Sequence, residues 1–243
     1  MRSCLMVMHA RDIPECLLSL RALKIDKVWF RGFTEKQLEA EITRFVKSSD
    51  YERYILVSDD VIATQQALDN LLSLQGAGPV VTGWCNIFPG KTLANLVMKP
   101  IASERASFYY RLREKLPPAA VKQAKKLYAM GLIKTPVNLL LYRHFPDEDE
   151  IWAMPSLFRT YFVGWALTSI SRDFWLRYGF HYSSSRFTGG HGSDARMSWD
   201  LQKDGVPMFC ARDSFIYHLG TMRNFIVGKV PSEVITEKVE LVA

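Results

Sequence analysis

The stretch YERYILVSDDVIATQQALDNLL (residues 51–72) runs an apolar segment straight into two aspartates, Asp59 and Asp60, and then into an amphipathic segment. A continuous apolar run such as YILV is what a central strand of a parallel sheet requires, because helices cover both of its faces. The carboxyl ends of such strands are where open α/β sheets bind ligands. From the residues alone, two readings of the pair stay open. Aspartate favours turns and helix N-termini, so both can be caps or turn formers. As hard oxygen donors at an open sheet edge they can instead hold magnesium or manganese, and through it the phosphates of a nucleotide.

Upstream of this stretch, CLMVM (4–8) and KVWF (27–30) have strand composition. IPECLLSLRAL (13–23) and TEKQLEAEITRFVKS (34–48) have helical spacing, the second opening on Thr34 as N-cap. The order is βαβα, the signature of a parallel sheet. Downstream, VVTGWCNIF (80–88) reads as another strand and stops at Pro89-Gly90. The periodicity then changes. Two helices are expected, over roughly 103–116 and 119–134, split by Pro117-Pro118. An acidic loop, HFPDEDEIWAMP (144–155), leads back to RTYFVGWALTSIS (159–171), expected as one strand, and to a short helix in RDFWLRYGF (172–180) ending at Gly179. A glycine- and serine-rich loop then enters a helix within SSSRFTGGHGSDARMSWDLQKDG (183–205), and VPMFCA (206–211) and SFIYHLG (214–220) follow as strands. The tail, VGKVPSEVITEKVELVA (227–243), suits either a strand or a helix.

Composition sets limits on function. The 243 residues are 48% hydrophobic and 23% charged, enough to bury a real core. Cys4, Cys16, Cys85 and Cys210 are far apart with no C-x-x-C pair, so neither a zinc knuckle nor a disulfide framework is expected and a reducing, cytoplasmic setting fits. The apolar run at the N-terminus is too short for a signal peptide, and no window approaches the roughly 18 apolar residues of a membrane span. The formal charge is +6, yet residues 99–144 hold ten Lys or Arg against Glu104 and Glu114, a local +8 that leaves the remainder about −2. A basic module of this kind argues against a uniform nucleic-acid coat and for a local anionic partner, an anionic membrane surface among them.

Two further residues stand out. His218 follows an apolar strand and precedes a glycine, which suits a structural histidine or a metal ligand. Asp194 opens a helix after the glycine-rich loop, which suits an N-cap or a general base ordered by substrate.

Taken in order, these features resemble the GT-A fold glycosyltransferases, and within them the large family-2-like group of inverting enzymes. SCLMVMHARDIPECLLSLRAL (3–23) is similar to that group's first strand and helix, and Ser58-Asp59-Asp60 falls on its D-x-D motif. YFVGWALTSISRDFWLRYGF (161–180) is similar to the acceptor-side segment, with Gly164 at the group's glycine and Arg172 near its basic residue. GGHGSDARMSWDLQKDGVPMFCARDSFIYHLG (189–220) is similar to the E-D motif, helix, short strand and terminal histidine.

The resemblance implies an α/β fold of GT-A (Rossmann-like) type, with a mixed, mostly parallel central sheet flanked by helices and carrying a helical insertion. It divides a single domain into a nucleotide-binding half (1–89), a basic insertion (90–155), an acceptor-binding half (156–220) and a tail (221–243). It implies a metal-dependent hexosyltransferase taking a nucleotide-diphosphate sugar, a UDP-sugar by default, and inverting the anomeric carbon. The acceptor would be a carbohydrate, a lipid-linked molecule or a protein. Asp194 would be the catalytic base. Asp60 and His218 would hold manganese or magnesium, while His9, Arg11, Arg31, Ser58 and Asp59 would contact the nucleotide. Gly164, Trp165 and His191 would shape the sugar and acceptor pocket.

The departures are that Ser58 replaces the first aspartate of D-x-D, Ser193 stands where Glu is usual, and Arg31 stands where an aspartate often meets the base. They put the choice of nucleotide in question and keep open an inactive member of the group. A polyanion-binding module resting on 99–144 alone is the non-enzymatic alternative. A nucleotidyltransferase is weaker, because MVMHARDIPE (6–15) lacks the glycine-rich loop that cradles a triphosphate.

Overall fold

In the computed structural model the described residues are 1–86, 94–98, 100, 119, 122–123, 126–127, 130, 146–180, 193–220 and 223–239. Strands β1 (Ser3–His9), β2 (Asp26–Arg31) and β3 (Arg53–Ser58) alternate with helices α1 (Pro14–Ala22) and α2 (Glu35–Ser48). Thr34 caps α2 in a reciprocal box with Gln37, satisfying backbone N–H groups that the first turn would leave free. A two-residue strand β4 (Val61–Ile62), helix α3 (Gln65–Leu74) and strand β5 (Val80–Trp84) complete the first part. After the insertion come α4 (Glu148–Trp152), β6 (Leu157–Thr160), β7 (Thr168–Ser171), α5 (Arg172–Tyr178), α6 (Ser193–Lys203), β8 (Met208–Phe215), β9 (Tyr217–His218) and β10 (Glu233–Glu237).

Eight strands form one mixed sheet in the order β10-β2-β1-β3-β7-β5-β8-β6, and β4 pairs with β9 in a separate ribbon. Within the sheet β1, β2, β3, β5 and β8 run one way and β6, β7 and β10 the other. Side chains alternate across it. Leu5 and Val7 of β1 join Ile55 and Val57 with residues of α1 and α3 on one face. Cys4 and Met6 join Tyr54 and Leu56 with residues of α2, α5 and α6 on the other. This is the two-sided burial that an uninterrupted apolar strand demands. A smaller core holds Trp84, Phe158 and Ile151 of α4.

Two sequence expectations change in detail, and a third, open between strand and helix, is decided. RTYFVGWALTSIS is not one strand: β6 and β7 lie on opposite sides of the β5–β8 pair. The chain breaks between them because Thr160 and Tyr161 bond to the Val97 carbonyl and Leu167 adopts the left-handed conformation at φ 58°. VPMFCA and the start of SFIYHLG merge into the single strand β8. The tail is a strand, β10, antiparallel to β2 at the sheet edge. Of the two helices expected in the insertion, the first lies outside the described residues, and the described positions 119, 122–123 and 126–127 of the second are helical. All four cysteines are buried and unpaired. No described helix is long and apolar enough to cross a membrane.

Candidate functional site

The two aspartates after β3 have different surroundings. Asp59 is 1% exposed. Its Oδ2 accepts hydrogen bonds from the backbone N–H groups of Ala10, at 2.6 Å, and Arg11, while its Oδ1 accepts from Arg11 Nη1 at 2.6 Å. The loop after β1 is thus fastened to the loop after β3. Burial dominates and raises the Asp59 carboxyl to about 6, against the opposing influence of Arg11. The resemblance gives Asp59 to the nucleotide; in the structure both of its oxygens are engaged by that loop.

Asp60 faces the other way. Its Oδ1 accepts from Ser58 Oγ at 2.6 Å, and its Oδ2 lies 3.1 Å from Arg11 Nη1 and 3.3 Å from His218 Nε2. Burial pushes its carboxyl up, but the His218 contact, Arg11 and Ser58 outweigh it and bring the group down to about 2. The β4–β9 ribbon makes the meeting with His218, 158 residues away, a matter of register. Val61 pairs with His218, and Leu219 N–H donates to the Asp60 carbonyl at 2.8 Å.

His218 lies between two acceptors, with Nδ1 3.3 Å from the Asn86 carbonyl and Nε2 facing the Asp60 carboxylate. Both acceptors are served at once only by an imidazolium, or by a neutral ring with its proton on Nδ1 and a cation at Nε2. Two donors bound at about 2.1 Å and at right angles to one octahedral cation lie about 3 Å apart. The His218–Asp60 separation is therefore one that magnesium or manganese can bridge. Among the described residues no group of three or more His, Cys, Asp or Glu side chains could hold a metal ion. Among the described residues Asp60 and His218 supply two donors to such a cation, and the remaining ligands would have to come from elsewhere.

The residues expected on the acceptor side by resemblance meet through Trp165. Its carbonyl accepts from Ser58 N–H at 3.0 Å, and its indole N–H donates to Ser193 Oγ at 3.0 Å. Ser193 is the first residue of α6 and Asp194 the second, half-buried. Ser198 fixes the same turn, accepting from Val163 N–H at 3.0 Å and donating to the Asp194 carbonyl at 2.8 Å. One tryptophan thus ties the aspartate loop to the helix that carries Asp194. Gly164 packs closely against Asn95: a Cβ there would stand 2.5 Å from Asn95 Nδ2, so that side chain would have to shift. His191 lies outside the described residues.

His9, Arg11 and Arg31 sit where the sequence puts them, at the ends of β1 and β2, but their side chains have protein partners. His9 is 4% exposed, 3.0 Å from Asp12 Oδ1 and edge-on to Trp29, and burial holds its ring below the usual imidazole range despite Asp12. Arg31 pairs with Glu233 of β10 at 2.6 Å. Arg11 bridges both aspartates and stacks on Phe225, 5.0 Å from the ring centroid. The tail is therefore part of the site, held by Asp12 N–H to the Asn224 carbonyl and Ile226 N–H to the Ala10 carbonyl, both 2.9 Å. Its sequence carries one usable signal, an acidic residue, Glu233, that can meet Arg31. Asn86 had no signal, because it acts here through its backbone carbonyl.

No protein-family model matches the chain, and no curated protein does. Among solved structures, one titled "Crystal Structure of A197 from STIV" is similar at 12% identity, over 98% of this chain and 95% of that one, with a TM-score of 0.47. At that level of likeness, function has to be argued from this chain's own residues.

Proposed function

We propose that this protein is a GT-A type glycosyltransferase, moving a sugar from a nucleotide-diphosphate donor to an acceptor hydroxyl with inversion. The observation that carries the reading is the meeting of Asp60 and His218 at 3.3 Å beside Arg11, at the carboxyl end of β3. Open α/β sheets bind ligands at that edge. The donor is taken as a UDP-sugar, and the acceptor as a carbohydrate, a lipid-linked molecule or a protein.

Asp60 Oδ2 and His218 Nε2 would hold magnesium or manganese, which when bound supplies Lewis-acid stabilisation of the departing diphosphate. Arg11, fixed between the aspartates, adds positive charge at the same edge. Asp194, at the start of α6, takes the proton of the acceptor hydroxyl. The acceptor oxygen bonds to the anomeric carbon as the bond from that carbon to the diphosphate breaks on the opposite side. Trp165 keeps the two halves of the site in register through Ser58 and Ser193. The +8 segment at 99–144 would bring the enzyme to an anionic surface.

A thermal-shift panel of nucleoside diphosphates and their sugars, each with and without manganese, tests this directly. One nucleotide should raise the melting temperature only with the metal present. With that donor, Asp194→Asn should lower turnover by about 10²- to 10⁴-fold while donor binding persists. Full activity in this variant would overturn the assignment. Polyanion binding that ignores both Asp60→Ala and Asp194→Asn would favour the non-enzymatic reading.

A further inference from the structure

We infer that Glu148 is a positioning residue for His218, acting through Asn86; the inference builds on the reading of Asp60 and His218 as cation ligands. Glu148 opens α4, a helix fixed at both ends of its single turn. Asp147 caps it in a reciprocal box with Glu150, and Ile151 is buried against Trp84 and Phe158. From that platform Glu148 Oε2 accepts from Asn86 Nδ2 at 3.4 Å, and Glu148 Oε1 accepts from Trp152 Nε1 at 3.3 Å. The indole thus holds the carboxylate while the carboxylate holds Asn86.

The bond to Glu148 is the one side-chain anchor that Asn86 has among the described residues, since its Oδ1 is buried without a partner there. What it steadies is the peptide whose carbonyl faces His218 Nδ1 at 3.3 Å. That carbonyl bears on how the ring is presented. With Nδ1–H donating to Asn86, Nε2 would have a lone pair for a cation shared with Asp60. If the carbonyl drifts, the ring's better option is to donate Nε2–H to the Asp60 carboxylate, a charge-assisted bond that closes the position to a cation. Partners of this outer kind are worth roughly 10- to 100-fold in metal affinity. The arrangement also joins the end of the 90–155 insertion to the Asp60–His218 pair by a continuous hydrogen-bonded path, Trp152–Glu148–Asn86–His218.

The test uses the full chain, with two measurements. Manganese affinity, read by electron paramagnetic resonance, should fall about 10- to 100-fold in Glu148→Ala and return to within about threefold of wild type in Glu148→Gln, whose amide oxygen can still accept from Asn86. Asp149→Ala, on the exposed side of the same turn, should leave it unchanged. Imidazole ¹⁵N shifts of His218 in the metal-free protein should move in Glu148→Ala and in Asn86→Ala. The double variant should add nothing to either single one. A ring signal indifferent to Glu148→Ala would overturn the inference, whatever the metal does. A ring signal that responds in a chain with no manganese affinity would uphold the positioning role and remove the metal reading instead.

Discussion

On the β1 side of the site, Asp59 is closed in by two backbone N–H groups and a guanidinium, and the tail packs over that guanidinium. On the ribbon side, Asp60 shares one oxygen between Arg11 and His218, at the longer distances of 3.1 and 3.3 Å, and the imidazole has an acceptor on either side. The two carboxylates are adjacent in sequence and both buried, yet burial wins at one and the neighbouring donors win at the other. The first region holds two loops together, and the second brings an aspartate and a histidine from distant parts of the chain to one point. Position in the chain decides which aspartate meets the histidine, because residue 60 lies directly before β4, whose Val61 pairs with His218.

Removing each carboxylate should break the comparison cleanly. Asp59→Ala should cost about 3–5 kcal/mol in urea unfolding, since it leaves buried backbone N–H groups and part of a buried ion pair without partners. Asp60→Ala should cost less than half of that, yet abolish the metal-dependent shift in the thermal panel. Equal losses of stability would dissolve the distinction. A smaller effect appears with pH. The folded-state pKa of Asp59 is raised to about 6, so the folded chain binds its proton first, and stability rises by about 2–3 kcal/mol as pH falls from above 6 to about 4. Asp60, depressed to about 2, acts in the opposite sense: its contribution is present above pH 4 and is lost between about 4 and 2. Asp59→Asn should erase the first limb and leave the second. The smallest expected change is for Phe225→Ala, which removes a ring from the Arg11 guanidinium and should cost about 0.5–2 kcal/mol, measured by the same unfolding. Phe225→Trp, which keeps an aromatic face, should recover most of it.

Much of this arrangement is legible from residue pattern. The YILV run announces a strand buried on both faces, and the aspartates follow at its carboxyl end. The pairing of Asp60 with His218 is not legible from spacing, because a two-residue ribbon has too few positions to show a period; the order of motifs suggested it. The role of Asp59 is hidden for a different reason. It is set by N–H groups 48 and 49 residues away, which every sequence has and none advertises. β10 is nearly silent apart from Glu233: all but its last residue are exposed, so backbone pairing with β2 and the Arg31–Glu233 ion pair hold it without a buried apolar face to mark it. The break between β6 and β7 turns on a left-handed leucine where a glycine would have been the usual sign.

The four-residue strand β7 has a consequence for the order in which this protein takes shape. It lies between β3 and β5, antiparallel to both, although it follows them in the chain by more than eighty residues. Until Thr168–Ser171 is in place, β1-β2-β3 and β5 have no shared hydrogen-bonded edge. A chain emerging from the ribosome can form the first three strands early, but it cannot close the sheet until the insertion has passed. β9 and the tail come later still. Pairings of such long sequence separation are slow to form, so the loops after β1 and β3 can take shape before the histidine that meets them.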